Sequence, residues 1–278
     1  MSFAATSEGW TLTLASSENE AGTLNMLKTL LRERKADGFI LPRTAMDDAR
    51  VNLLRASQTP FVLFGRPDDE AGCAWFDVLG ENAMEQAVEH LFKLGHRHIG
   101  FVNGGLCYTY SKARRAGFIK GMANVGLRLD PALMTQSAVD AKAGAQAAMT
   151  LLRLSAPPTA IVYAVDIGAL ELYRTADQLG LTIGQDISVI AYDGAPEGAY
   201  LTPPLSTFAV RYREAGEKLA HLLIRRVRGE PPEELRETAL ADFLDKGSAG
   251  PPRLTPVQIA KTIRATLGPN LQYGRKDQ

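Results

Sequence analysis

The chain has 278 residues, enough for one large or two moderate domains with a full core. Its 31 Lys and Arg balance 31 Asp and Glu, so it has no global basic footprint and is not itself expected to grip nucleic acid. Hydrophobic residues make up 45%, no run of about 18 apolar residues exists to span a membrane, and the two motif-free cysteines fit a reducing compartment.

The opening MSFAATSEGW lacks the basic start and apolar stretch of a secretory signal, which makes the cytoplasm the expected compartment. Thr11 to Ala15 (TLTLA) alternates as a strand does, and Leu24, Leu27, Leu30 and Leu31 then share a helical face. Gly38 to Pro42 reads as a buried strand and Asp47 to Ser57 as a short helix. Phe61 to Gly65 and Ala74 to Val78 are two more strands. Val88, Leu91, Phe92 and Leu94 recur at helical spacing until Gly95 stops the helix. Ile99, Phe101 and Val102 form an apolar run typical of a buried parallel strand, ending in Asn103, Gly104 and Gly105. A helix follows with Arg114 and Arg115 in its first turns. Open α/β sheets bind ligands outside the carboxyl ends of their strands, so guanidinium groups beside a glycine-rich strand end point to a polar ligand.

The alternation then restarts. Ala141 to Leu154 is expected to be a helix, Thr159 to Asp166 a strand, Ile167 to Leu179 a helix and Ile187 to Asp193 a strand. Val210 to Arg228 reads as a long amphipathic helix, and Thr238 to Leu244 as a last strand before Gly247 to Pro252. Thr255 and Pro256 open a tail helix with Ile259, Ala260, Ile263 and Leu267 on one face. That face is expected to pack on the protein's own surface, with dimer contact as the alternative, and Gly274 to Gln278 is expected to be disordered. Two successive α/β blocks imply two doubly wound parallel-sheet lobes with a cleft at their strand ends.

VEHLFKLGHRHIGFVNGG (Val88 to Gly105), followed by RRAGFIKGM (Arg114 to Met122), resembles the effector-binding domain of LacI-family transcriptional regulators. DISVIAYDG and TPPLSTF, between Asp186 and Phe208, agree with that family, as does the ending GSAGPP. The resemblance covers about Thr11 to Pro252. It implies a periplasmic-binding-protein-like type I fold with three crossovers near His96, Ala209 and Arg236. The first lobe would be 1–96 plus 210–235, the second 97–209 plus 236–252, and 253–278 a tail with a short helix. The family's helix-turn-helix head and hinge have no counterpart here. Its first sensor strand is missing as well, since TLTLA matches the second. The expectation is a fragment or a mis-started frame with Met1 an internal methionine; the alternative is a genuine headless protein. The resemblance further implies a sugar or polyol effector, a homodimer, no membrane, and operator DNA bound only through the absent head.

For the site, the resemblance puts Arg114 where the family's effector-binding arginine stands, able to fork two ring hydroxyls or a carboxylate. Asp193 ends a strand where a carboxylate can accept hydroxyl hydrogen bonds. Asp77 and Asn82 flank the turn after AWFDV, Arg43 follows GFILP, and Tyr110 and Tyr212 offer aromatic faces; all five are further effector-binding candidates. Arg115 reads as a surface arginine and Asp166 as the cap of the helix from Ile167. Val139 and Val165 replace residues that the family often has as an aromatic and an asparagine. His96 and His98 lack the further ligands a metal needs, so they read as structural. No P-loop, G-x-S-x-G elbow or strand-linked G-x-G-x-x-G occurs, so no catalytic residue, cofactor or metal is expected. Two other classes remain as alternatives: a stand-alone sugar-binding protein of a transport system, and an enzyme on a similar fold.

Overall fold

A computed structural model describes residues 1–135 and 139–268, so the expectation for Gly274 to Gln278 lies outside the described residues. The chain divides into two compact units, residues 1–79, 107–110 and 211–240, and residues 80–106, 111–210 and 241–278.

The first unit holds helices α1 (Ser2–Ser7), α2 (Glu20–Arg32), α3 (Ala49–Ala56) and α8 (Tyr212–Val227). Its strands are β1 (Phe39–Pro42), β2 (Phe61–Phe64), β3 (Ala74–Val78) and β9 (Arg236–Ala239), all parallel in the order β1-β2-β3-β9. Local signals fix the helix starts: the Asn19 side chain accepts from Gly22 N–H at 2.9 Å, and Asp48 accepts from Arg50 N–H at 3.0 Å. One core gathers Leu27, Leu41, Val51, Leu54, Phe61, Leu63, Cys73 and Trp75, while α8 packs against β1, β2 and β3.

Thr11 to Ala15 corrects the sequence expectation. It forms no strand but runs exposed between α1 and α2, with Leu14 91% accessible. Alternation specifies a strand only where a neighbouring strand supplies the ladder, and β1, the outermost strand of this sheet, pairs with β2 alone. Helix α1 was not foreseen either. It rests on α8, with the Met1 backbone nitrogen 3.1 Å from where a Cβ at Gly216 would lie.

The second unit holds α4 (Gly80–Lys93), α5 (Thr109–Asn124) from Ser111 onward, α6 (Ala141–Leu152), α7 (Asp166–Gln178) and α9 (Pro256–Leu267). Its sheet runs β10-β8-β7-β6-β4-β5, where β4 is Ile99–Val102, β5 Met134–Thr135, β6 Ala160–Tyr163, β7 Ser188–Asp193, β8 Ser206–Ala209 and β10 Asp242–Leu244. All neighbours are parallel except β10, which is antiparallel to β8. The expected last strand, Thr238 to Leu244, is therefore two strands in two sheets, broken at Leu240 and Ala241. Helix α4 lies against β6 and β7 and so belongs to this unit, although the family pattern assigns it to the first lobe with a crossing near His96. The tail helix α9 buries Ile259 and Ile263 in the same core as Leu179, Leu181 and Ile183, so it packs on its own unit.

His96 ties this unit together. Its Nδ1 lies 2.9 Å from Thr159 Oγ1, and its Nε2 is 3.0 Å from Ser188 Oγ and 2.9 Å from Gly250 O. Burial pushes the imidazole below its ordinary value of 6.5, so the folded protein favours the neutral ring. The unfolded chain takes up the proton more readily, and stability is lost as the pH falls below about 6.5. The thermal midpoint should therefore drop between pH 7 and pH 5, and His96→Gln should flatten that drop.

Candidate functional site

The second unit gathers charge at the carboxyl ends of β6 and β7, where open α/β sheets bind ligands. Asp193 ends β7 with φ +123°, a conformation that costs a residue with a side chain about 1–3 kcal/mol. Its carbonyl accepts from Val210 N–H at 3.1 Å, and Gly194 continues the turn at φ +80°.

Arg114 reaches this turn from α5. Its guanidinium carbon lies 3.8 Å from the centroid of the Tyr192 ring, a cation–π contact. Nη1 donates to Ala164 O at 2.6 Å, and Nη2 is 3.5 Å from the Asp193 carboxylate. The ring below, the carbonyl at the end of β6 and the carboxylate at the end of β7 fix the side chain, which is 11% exposed. Arg115, one residue on, is exposed as expected.

Asp166 departs from its expected role as a cap. It is the first residue of α7, and Val165 holds the N-cap position without a side-chain hydrogen bond. The carboxylate turns inward instead. Oδ2 accepts from Gly194 N–H at 2.7 Å and Ala195 N–H at 2.6 Å, while Oδ1 accepts from the Thr207 hydroxyl at 2.8 Å. Burial pushes this carboxyl above its ordinary range, against those three donors and the charge of Arg114. Asp166 thus pins the turn that carries Asp193.

Of the other candidates, Asn82 also lies in the second unit, on the first turn of α4, and accepts from the Gln86 side chain at 2.6 Å. Arg43, Asp77, Tyr110 and Tyr212 lie in the first unit. Asp77 pairs with Arg66 at 2.6 Å. Tyr110 stacks on Tyr108 with centroids 5.4 Å apart. Arg43 is exposed at the end of β1 with φ +53°, and its carbonyl accepts from Arg50. Tyr212 opens α8 and is 54% exposed. The loop after β1 is laced to residues 107–109 by Met46 N–H to Cys107 O at 2.7 Å and Thr109 N–H to Thr44 O at 3.1 Å.

Tyr192, Thr207 and the Ala164 carbonyl were not singled out from sequence. A tyrosine inside an apolar strand carries no mark of lying beneath an arginine more than seventy residues away. Among the described residues, no cluster of His, Cys, Asp or Glu could hold a metal ion, and no helix is long and apolar enough to cross a membrane.

Comparison with known proteins agrees with this architecture. Residues 88–248 match the family of periplasmic binding protein-like domains. The chain is 33% identical over 245 residues to the HTH-type transcriptional regulator AglR of Rhizobium meliloti (strain 1021), covering 84% of this chain and 66% of that protein. It is 29% identical over 223 residues to RafR of Escherichia coli, covering 80% and 66%. It thus spans just under two thirds of the length of these curated relatives. Among solved structures, a regulatory protein of the LacI family from Chloroflexus aggregans matches with a TM-score of 0.81 and 30% identity, over 90% of this chain and 89% of that one. A LacI-family regulator from Enterococcus faecium, solved with bound ribose, matches with a TM-score of 0.75 and 26% identity, over 88% and 90%.

Proposed function

Since the chain belongs to the LacI family, through its periplasmic-binding-protein-like domain, we propose that it is the effector-sensing part of a sugar-responsive transcriptional regulator. One observation carries this reading. Arg114 and Asp193, a fixed donor and acceptor pair, stand at the strand ends where this fold class takes its ligand. A guanidinium that can fork two oxygens beside a carboxylate that can take a hydroxyl proton suits neighbouring hydroxyls on one ring. The Asp193 carboxylate beside the arginine disfavours an anionic ligand, so a neutral sugar or polyol is the class that fits. The ribose held by the Enterococcus faecium relative supports that class.

Arg43, Asp77, Asn82, Tyr110 and Tyr212 are the further contacts in this proposal. The effector acts by favouring one arrangement of the two lobes, and a homodimer passes that preference to DNA-reading heads, in the cytoplasm. A binding protein serving transport is the rival reading.

Deleting the coding region from its native cells separates the two. The regulator reading expects transcripts of sugar-utilisation genes to change and to lose their response to the sugar. Unchanged transcripts with slower sugar uptake would favour transport, and disappearance of an enzymatic conversion of the sugar would favour catalysis.

A further inference from the structure

We infer that Gly80 is a positioning residue for Arg114: it lets the arginine lie over Tyr192 and reach Asp193 because it has no side chain. The inference rests on the proposed role of Arg114 in effector binding, but it can be tested without an effector.

Gly80 is buried and opens α4. A Cβ built on it would lie 2.8 Å from Arg114 Nε, 2.9 Å from Cγ and 3.4 Å from Cδ. The first two distances are closer than non-bonded carbon and nitrogen atoms tolerate. The atoms concerned are mid-chain ones, so a swing of the side-chain tip alone would not relieve the overlap. The tip is itself held by the Ala164 carbonyl, the Tyr192 ring and the Asp193 carboxylate.

The helices have little room to yield instead. Helices α4 and α5 touch backbone to backbone, since a Cβ at Gly117 would fall 2.1 Å from Glu81 O and one at Gly121 would fall 3.0 Å from Glu85 Cα. Moving α4 away from Arg114 would open that contact along the following turns. A side chain at position 80 therefore displaces the guanidinium, and the ligand-facing geometry of the site depends on a residue that need not touch the ligand. The candidates taken from the turn after β3 were Asp77 and Asn82; the glycine between them acts through its neighbour.

The test reads Arg114 directly in the purified, ligand-free protein. In a proton–nitrogen spectrum, the Arg114 Nε–H signal is identified by its loss in Arg114→Ala. It is expected upfield of other arginines because of the Tyr192 ring. In Gly80→Ala that upfield displacement should vanish. In parallel, the drop in thermal midpoint caused by Gly80→Ala should disappear when Arg114 is already alanine, because the added methyl then meets empty space. If Gly80→Ala fails to fold, the Gly80→Ala/Arg114→Ala double variant should restore folding. An unmoved Arg114 signal, or a penalty at position 80 that persists without the arginine, would overturn the inference. Failure of every neutral sugar to bind would instead count against the effector reading and leave these two readouts standing.

Discussion

Replacing Asp166 with alanine is expected to destabilise the protein by about 3 kcal/mol or more, the largest effect on folding of any change around the site. The carboxylate satisfies three buried donors, the N–H groups of Gly194 and Ala195 and the hydroxyl of Thr207. Each donor left unpaired away from water costs about 1–3 kcal/mol, and the Thr207 hydroxyl can rotate to recover part of its share. Asparagine should behave quite differently. Its amide oxygen can take both backbone donors while its NH2 group donates to Thr207 Oγ1, so Asp166→Asn should cost about 1 kcal/mol or less. Urea unfolding of the two variants measures the difference. The raised carboxyl also has a pH signature. Because the folded protein holds this proton more tightly than the unfolded chain, Asp166 makes stability decline as the pH rises from 3.8 through the folded value. Asp166→Asn removes that contribution.

Replacing Arg114 with alanine is expected to cost binding rather than the fold. The arginine joins the β6 and β7 ends, and a charged donor lost from a ligand contact typically removes about 3 kcal/mol. That corresponds to an affinity loss on the order of a hundredfold. Any sugar that stabilises the wild type against heat should fail to do so in Arg114→Ala, while the variant keeps a cooperative unfolding transition. Stabilisation of the variant equal to that of the wild type would remove Arg114 from the ligand's surroundings.

Much of the architecture was legible because burial writes itself into local pattern. The runs FILP, FVLF, IGFV and AIVY are apolar enough to sit in parallel sheets covered by helices, and each forms the strand expected of it. Thr11 to Ala15 shows the limit of that rule. Its alternation is as good as any in the chain, but hydrogen bonding to a neighbour makes a strand, and pattern does not supply the neighbour. The short strands Met134–Thr135 and Ser206–Ala209 went unseen for the opposite reason. Met134–Thr135 is only two residues long, and STFA has polar side chains that are buried only because hydrogen bonds reach them, as the Asp166 carboxylate does at Thr207.

The site was legible in part. Arg114 and Asp193 could be named separately from strand ends and family motifs, and the structure brings them within 3.5 Å. Asp166 was misread because a carboxylate at a helix start has two possible uses. Capping is local and visible in sequence, whereas the donors it meets here lie 28, 29 and 41 residues away. Gly80 was passed over because a missing side chain has meaning only beside the neighbour that fills the space.

The central claim is that this chain senses a neutral sugar through the cluster around Arg114. Calorimetric titration of the purified chain with a panel of neutral pentoses, hexoses, disaccharides and trisaccharides tests it most directly. At least one sugar should bind saturably at one site per chain, with the heat signal lost in Arg114→Ala. A panel in which nothing binds, or a sugar that binds the variant as tightly as the wild type, would contradict it.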